Sequence, residues 1–219
     1  MKKLILAVCA AALLAASAFG QKEQGSLEQV YALLDRTSAS FKTVQTDFVW
    51  DQYQRVVDEH DVQSGVMYFQ RAGANVDVAA DIQKPERKKL VFMGGEVQVY
   101  SFRTRQVTSY QAGKNRDEFE SFLALGFGGR GHDLAKSFDV HYRGMETVDG
   151  RAAYKLELTP KSDRVKGMFS LITLWIDQQT GMSVLQKFQE GREDYRLAKY
   201  TNFKSNQKLP EDAFKLKAK

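Results

Sequence analysis

The sequence predicts a single α+β domain that is mainly antiparallel β-sheet, an open and strongly curved half-barrel of about eleven strands. Three observations predict this architecture. Apolar and polar residues alternate with a period of two over most of the chain, short turns rich in glycine and aspartate separate the alternating segments, and only two stretches have helical spacing. A meander of this many strands has to curl, and helices can then cover one of its faces.

The first 20 residues are predicted to be a secretory signal peptide, and the domain would span residues 21–219. Lys2 and Lys3 form a positive amino-terminal region, residues 4–16 are an apolar run, and small residues precede a cut after Gly20. The run is shorter than the about 20 residues that span a membrane. Loss of the two lysines lowers the formal net charge from +5 to 5 − 2 = +3.

Cys9, the only cysteine, lies inside this leader. Its acylation, as in a lipoprotein signal, is disfavoured because too few apolar residues precede it. The mature domain then has no disulfide, no thiolate metal ligand and no cysteine nucleophile. Export without disulfides indicates a bacterial periplasm or cell surface, and we expect a periplasmic protein.

The first half of the domain is predicted to contain one helix followed by six strands. Ser26 has the position of a helix N-cap, and residues 26–42 carry apolar side chains at helical spacing. From Val44 the period changes to two, which marks the start of a strand. Gly94 and Gly95 separate two alternating segments and indicate a tight hairpin.

An insertion over residues 111–137 separates the two halves of the sheet and is predicted to form a helical lid. Phe119, Phe122 and Leu123 lie in it at helical spacing and would give the lid its apolar side. Residues 132–138 are predicted to add another helical turn or two.

Three glycines follow in the spacing G-x-G-x-x-G, namely Gly126, Gly128 and Gly131. The same spacing occurs in dinucleotide-binding proteins, but there the glycines follow a strand within a βαβ unit, whereas here they follow a predicted helix. We therefore interpret them as a flexible hinge that makes the lid mobile.

The second half is predicted to contain five more strands. Asp149-Gly150 is a type I′ hairpin signal between residues 138–145 and 152–159, and residues 169–176 form an almost continuous apolar strand.

No pattern of catalytic residues stands out, so we expect a binding protein and not an enzyme. His60, His132 and His141 are far apart and have no metal-ligand spacing, and there is no G-x-S-x-G motif or distinct carboxylate pair. His132 is interpreted as a surface loop histidine. We expect no metal and no cofactor. The excess of basic over acidic residues favours nucleic-acid binding, but two observations argue against it. The basic residues are scattered along the chain, and the predicted signal peptide indicates secretion.

Aromatic side chains are abundant, with 14 Phe, 9 Tyr and 2 Trp. Most of them belong to an ordinary core, but part of the concave face is expected to stay available to an apolar guest below the lid. An acyl chain needs no polar partner there, since each buried methylene contributes about 0.8 kcal/mol. An error of one residue in register would move a side chain to the other face. The candidate lining residues of the sheet are Phe48, Trp50, Tyr68, Val76, Val78, Phe92 and Val99.

Several short segments each carry a weak sequence signal, but their order and spacing together are a more specific signal than any single segment. They are residues 40–42, 44–48, 64–69, 94–100, 174–177, 180–181, 200–203 and 209–214. Over about residues 26–217 the chain resembles the family of the periplasmic lipoprotein carrier LolA, whose superfamily also holds the lipoprotein receptor LolB and lipid-binding relatives.

The resemblance implies an incomplete β-barrel closed by a helical lid. Its cavity would receive the acyl chains of a lipoprotein leaving the inner membrane and would hand this cargo to the outer membrane. An inner-membrane release complex and an outer-membrane receptor are the implied partners, with no cofactor and no turnover. We expect a monomer that binds no nucleic acid.

One departure from the family concerns an arginine on the strand after the turn at Gly73, which latches the lid in the carriers. The corresponding position falls near Val76, between Asn75 and Asp77, where no arginine is available. A relative that binds lipid for another purpose therefore remains an alternative, such as a module that senses mislocalised lipoproteins without transferring them, or a carrier of a different lipid. An enzyme acting on lipids is disfavoured because no nucleophile or acid–base pair is evident.

Overall fold

The computed structural model of the protein describes residues 25–111 and 124–216, in which eleven antiparallel strands form one sheet and three helices accompany it. The predicted leader and the predicted lid residues Phe119, Phe122 and Leu123 lie outside the described residues. The strands are β1 (Thr43–Gln54), β2 (Glu59–Ala72), β3 (Asn75–Lys84), β4 (Lys88–Met93), β5 (Glu96–Ser101), β6 (Gln106–Gln111), β7 (Phe138–Val148), β8 (Arg151–Pro160), β9 (Leu171–Asp177), β10 (Ser183–Glu190) and β11 (Asp194–Ser205). The helices are α1 (Leu27–Ser40), α2 (Gly131–Ser137) and α3 (Asp163–Met168).

The first and last strands of the chain pair in the middle of the sheet, whose order is β6-β5-β4-β3-β2-β1-β11-β10-β9-β8-β7. Phe48 of β1 lies opposite Tyr200 of β11, and Trp50 lies opposite Ala198. The edges of the described sheet are β6 and β7, the strands that flank the insertion, and they do not pair with each other. The predicted open antiparallel sheet of eleven strands is confirmed.

α1 begins at the predicted cap. The Ser26 hydroxyl accepts a hydrogen bond from the Gln29 backbone N–H at 3.2 Å, and the Gln29 side-chain oxygen accepts one from the Ser26 N–H at 3.0 Å. This reciprocal capping box satisfies two donors that have no partner within the helix. Val30, Tyr31 and Leu34 form the buried side of the helix, which ends at Ser40.

Two apolar clusters line the concave face of the sheet, because residues directly opposite each other on neighbouring strands project to the same face. The first lies on β1–β4 and β11 and includes Phe48, Phe69, Val78, Phe92 and Tyr200. The second lies on β8 and β9 below α1 and includes Val30, Leu34, Leu156, Ile172 and Leu174.

The chain after β11 covers part of the convex face. The Lys89 ammonium donates a hydrogen bond to the backbone carbonyl of Asp212, and the neighbouring Ala213 is only 2% exposed. Tyr100, opposite Lys89 across β4 and β5, is 3% exposed. This part of the sheet is therefore buried on both faces.

Tyr68 lies on the convex face, so its prediction as a concave lining residue is wrong. It pairs with Gln45 and Ala79, whereas the next residue, Phe69, pairs with Val44 and Val78 of the concave cluster. Tyr68 and Phe69 are adjacent aromatic residues on opposite faces, and both are at least partly withdrawn from water, since the carboxy-terminal segment covers part of the convex side. Alternation alone could not assign their faces.

The predicted hairpins are confirmed. Asp149 and Gly150 have φ values of 48° and 78°, and both central residues of a type I′ turn require positive φ. Gly94 and Gly95 join β4 to β5 as expected. α2 lies close to the helical turns predicted for residues 132–138, while the short α3 was not predicted. None of the helices in residues 25–111 and 124–216 has both the length and the apolar character needed to cross a bilayer.

Candidate functional site

Two cavities lie on the concave face. One, which we call the sheet cavity, has a volume of about 280 Å³ and includes Trp50, Met67, Val78, Leu90, Phe188 and Tyr200 in its walls. The other, the helix cavity, has a volume of about 500 Å³ and lies between β3, β9 and the helices α1 and α2. Its walls include Leu34, Arg71, Val76, Leu134, Phe138 and Ile176. Small-molecule sites in proteins have volumes of about 300–1,000 Å³, so the helix cavity lies within this range and the sheet cavity lies just below it.

Three of the predicted lining residues reach these cavities. Trp50 and Val78 line the sheet cavity, and Val76 lines the helix cavity. Their alternation with polar residues on β1 and β3 correctly placed them on the concave face. Whether they contact lipid stays a prediction.

The other described candidates stand beside the cavities. Phe48 and Phe92 are 2% and 1% exposed in the first apolar cluster. Val99 is half-buried on the concave side of β5, opposite Leu90 of the sheet cavity. Tyr68, on the convex face, is not brought to the site.

Phe127 occupies the middle of the concave face, although it belongs to the loop before α2 (residues 124–130) and not to the sheet. Its side chain is 1% exposed. The ring stacks on Phe69 with centroids 4.1 Å apart and meets Tyr200 edge-on at 4.8 Å. Sequence reasoning did not single it out, since one aromatic residue between two glycines has no periodic neighbour.

Buried polar groups hold this loop against the sheet. The Gln186 side-chain amide donates to the carbonyl of Leu125 at 2.6 Å, and the Ser183 N–H donates to the carbonyl of Gly126 at 3.0 Å. The Tyr200 hydroxyl donates to the Gln186 oxygen at 3.1 Å. Burial raises the pKa of Tyr200, which keeps its hydroxyl protonated as a donor.

The glycines of the loop permit close packing. A Cβ atom at Gly128, where φ is +76°, would lie 2.7 Å from the ring of Phe41. A Cβ atom at Gly131 would lie 2.6 Å from the Tyr31 Cα atom on α1. The glycines were predicted to form a flexible hinge; in the structure these two allow the loop and α2 to approach α1.

Arg71 corrects the prediction that no arginine is available near Val76. It is the last but one residue of β2 and lies directly opposite Val76, before the turn and not after it. Its guanidinium donates to the carbonyl of Gly128 at 2.6 Å and to the backbone and side-chain oxygens of Ser38 at 3.2 Å each. Arg71 thus ties β2, α1 and the loop together.

His132 joins α2 to α1. Its Nδ1 atom lies 2.5 Å from an Asp35 carboxylate oxygen, and its Nε2 atom lies 3.2 Å from a Glu28 carboxylate oxygen. The hydrogen bond to Asp35 raises the pKa of His132, and the Glu28 charge adds to the effect. The residue was predicted to be a loop histidine, but it lies in a helix and bridges two elements. Among residues 25–111 and 124–216, no group of three His, Cys, Asp or Glu side chains is placed to hold a metal ion.

Solved structures share this fold at low sequence identity. One is MucB in the MucA/MucB complex of Pseudomonas aeruginosa, with 16% identity, a TM-score of 0.53, and coverage of 89% of this chain and 62% of that chain. Another is an uncharacterized conserved protein from Thermus thermophilus, with 14% identity, a TM-score of 0.52, and coverage of 86% and 97%. This chain thus spans somewhat less than two thirds of MucB. A comparison with curated proteins finds no match.

The family comparison covers most of the sequence. Residues 39–217 match the family described as outer membrane lipoprotein carrier protein LolA. The match extends from the end of α1 through β11 to the carboxy-terminal segment. It includes the sheet cavity and all lining residues of the helix cavity except Leu34 and Ser38. The chain belongs to the LolA family.

Proposed function

We propose that the protein is a periplasmic carrier that binds the acyl chains of lipoproteins on its concave face and carries them from the inner to the outer membrane. The observation that carries this proposal is the position of Phe127. This loop residue fills the middle of the apolar face. Its neighbours Gly126 and Gly128 line the helix cavity, and its contact Tyr200 lines the sheet cavity. Moving the loop would open a continuous apolar surface without breaking a strand pairing.

The energetics of acyl-chain burial favour this function. About ten methylenes buried at about 0.8 kcal/mol each would contribute about 8 kcal/mol, which corresponds to micromolar affinity. Displacing Phe127 removes its own contacts, so the net affinity is lower than this sum. A moderate affinity suits a carrier, because the cargo also has to leave.

Family membership supports the same function. Lipoprotein carriage is the role stated in the family's description. By this proposal the protein accepts its cargo from an inner-membrane release complex and delivers it to an outer-membrane receptor. It binds and releases the lipid chemically unchanged, without a cofactor. The mature protein should begin at Gln21, which amino-terminal sequencing of periplasmic material would test.

Native mass spectrometry with lipid extraction tests the proposal on protein purified from its own periplasm. We expect an acylated lipoprotein or a phospholipid bound in a ratio of about one to one, and recovered intact. Ala198 lines the sheet cavity, so Ala198→Phe should reduce the bound lipid. Ala152→Phe on exposed β8 surface is the matched control and should not. A wild-type protein that is empty and also refuses added lipid would refute the proposal.

A second candidate is a binding module that senses envelope lipids and does not transfer them. The fold shared with MucB, a protein solved in complex with MucA, favours it. Mixing the lipid-loaded protein with outer-membrane vesicles separates the two functions. A carrier releases its lipid to the vesicles, whereas a sensing module keeps it and forms a stable complex with a membrane protein.

A further inference from the structure

Arg71 differs from other arginines of the domain in what it contacts. Arg143, Arg103 and Arg196 each approach a glutamate carboxylate within 2.6–2.7 Å. The hydrogen bonds of Arg71 go to the carbonyls of Ser38, Ala74 and Gly128 and to the Ser38 hydroxyl. Among the residues that the structure describes, no carboxylate lies within ion-pair distance of its guanidinium.

The cation is nevertheless partly withdrawn from water. Arg71 is half-buried in the wall of the helix cavity, and burial lowers the pKa of its guanidinium. Arginine stays charged in proteins, so a desolvated guanidinium without an anion is in an unfavourable position. Carbonyl oxygens offset only part of that cost, because hydrogen bonds between two charged groups are stronger than those to neutral acceptors.

The rest of the helix cavity divides into an apolar part and a cationic part. Leu34, Val76, Leu134, Phe138, Leu174 and Ile176 form the apolar walls. Arg130, whose side chain is 64% exposed and lies 4.0 Å from an Asp35 carboxylate oxygen, brings a second guanidinium to the same cavity. The acidic lining residue Asp133 is engaged by Lys136 at 2.7 Å. A chain could lie along the apolar walls while an anionic group meets Arg71.

We infer that the helix cavity selects amphiphiles with an anionic head, a carboxylate or a phosphate, which forms an ion pair with Arg71. This inference rests on the proposed lipid-binding function and names the class of lipid. The guanidinium presents several N–H donors in one plane, and two of them can meet two oxygens of the head group. One of those oxygens takes the place of the Gly128 carbonyl, so the head group competes directly with the loop for the arginine.

The test compares head groups on one chain length with delipidated wild-type protein. Palmitic acid and 1-palmitoyl lysophosphatidic acid are the anionic probes, and hexadecanol and methyl palmitate are the neutral ones. Their dissociation constants are measured by displacement of a fluorescent lipid. We expect at least one anionic probe to bind about 10-fold or more tightly than both neutral ones, the size of a charge-assisted pair. The tighter of the two anionic probes identifies the head group.

Variants then assign the selectivity. Arg71→Gln should remove the preference for the anionic probe over hexadecanol, while Arg71→Lys, which keeps the charge, should retain part of the preference. Arg143→Gln, away from the cavities, is the matched control and should change nothing. Thermal melting establishes that each variant is folded.

The outcomes separate this inference from the proposed function. Equal affinities of the wild-type protein for acid, phosphate, alcohol and ester overturn the anion selectivity and leave lipid carriage standing. This comparison needs no variant, so a folding defect cannot obscure it. Failure to bind any of the four probes would instead refute lipid carriage itself.

Discussion

The ring of Phe127 stacks on the ring of Phe69 with centroids 4.1 Å apart and planes inclined by 11°. Phe69 belongs to β2 and Phe127 to the loop before α2, so the contact joins the sheet to the segment that covers it. Under the proposed function, Phe127 occupies the place that an acyl chain would need. The Phe127 side chain therefore both holds the loop against the sheet and fills the space between them.

Replacing Phe127 with alanine should have opposite effects on the stability of the protein and on its affinity for lipid. Phe127→Ala is expected to lower the free energy of unfolding by about 3–5 kcal/mol, because a large buried side chain is lost. The same change should increase the affinity for acyl chains, because their competitor is gone. Urea denaturation and lipid titration measure the two effects. Leu158→Ala, in the second cluster at 0% exposure, is the control and should destabilise without tightening lipid binding. Weaker binding by folded Phe127→Ala would contradict the competition.

The approach of α2 to α1 should depend on a missing side chain at Gly131. Gly131→Ala places a Cβ atom 2.6 Å from both Cα and O of Tyr31, which are backbone atoms and cannot rotate away. We expect a loss of about 1–3 kcal/mol in unfolding free energy, although alanine normally favours a helix over glycine. Gly129→Ala, which meets nothing within 4 Å, is the control in the same urea experiment. Equal stability of the two variants would argue against a tight contact between the helices.

His132 should make the stability of the α1–α2 contact depend on pH. Its folded pKa is raised above the usual 6.5 by Asp35 and then Glu28. Its contribution is therefore fully present below about pH 6.5 and is lost as the pH rises through the folded pKa. Arg130, 4.0 Å from Asp35, competes for the same carboxylate and limits the effect.

Urea midpoints of the wild-type protein and of His132→Gln measured between pH 5.5 and about 8.5 test this dependence. The difference between the two proteins should shrink as the pH rises. His141→Gln, a substitution of the histidine in β7, serves as the control. A difference that is constant with pH would exclude an ionised His132 as its source.

The lid remains a prediction from the sequence. Phe122→Asp should weaken lipid binding more than folding, since a charge on the apolar side of a lid opposes contact with an acyl chain. Lipid transfer and thermal melting measure the two losses, with Val56→Asp at a 94% exposed position as the control. Equal losses in transfer and in melting temperature would rule out a lid role for Phe122.

Local sequence patterns were sufficient to predict the strands, the hairpins and α1. The period of two from Val44, the cap at Ser26 and the turn at Asp149-Gly150 all depend on neighbours within a few residues. The pairing of β1 with β11 could not be predicted in this way, because no local signal records which strands meet across the whole chain.

The errors in the candidate site have the same origin. The face of Tyr68 was predicted incorrectly because a distant segment covers part of the convex side, so an aromatic residue occurs there as well. Arg71 was overlooked because its role depends on being opposite Val76 across a turn, which alignment on Gly73 alone does not reveal. Phe127 acquires its importance only from Phe69 and Tyr200, which are remote in sequence.

The central β1–β11 pairing also determines when, during folding, the complete apolar face can form. The Thr46 hydroxyl donates to the carbonyl of Thr201 at 2.6 Å, across 155 positions of the chain. Hairpins such as β4–β5 form from local contacts, whereas contacts at such separation form slowly, because the entropy of closing the intervening loop must first be overcome. The two halves of the concave surface therefore meet only when both ends of the domain are available to fold. Under the proposed function, a chain that is only partly folded would lack the complete acyl-chain site and could not bind lipid prematurely.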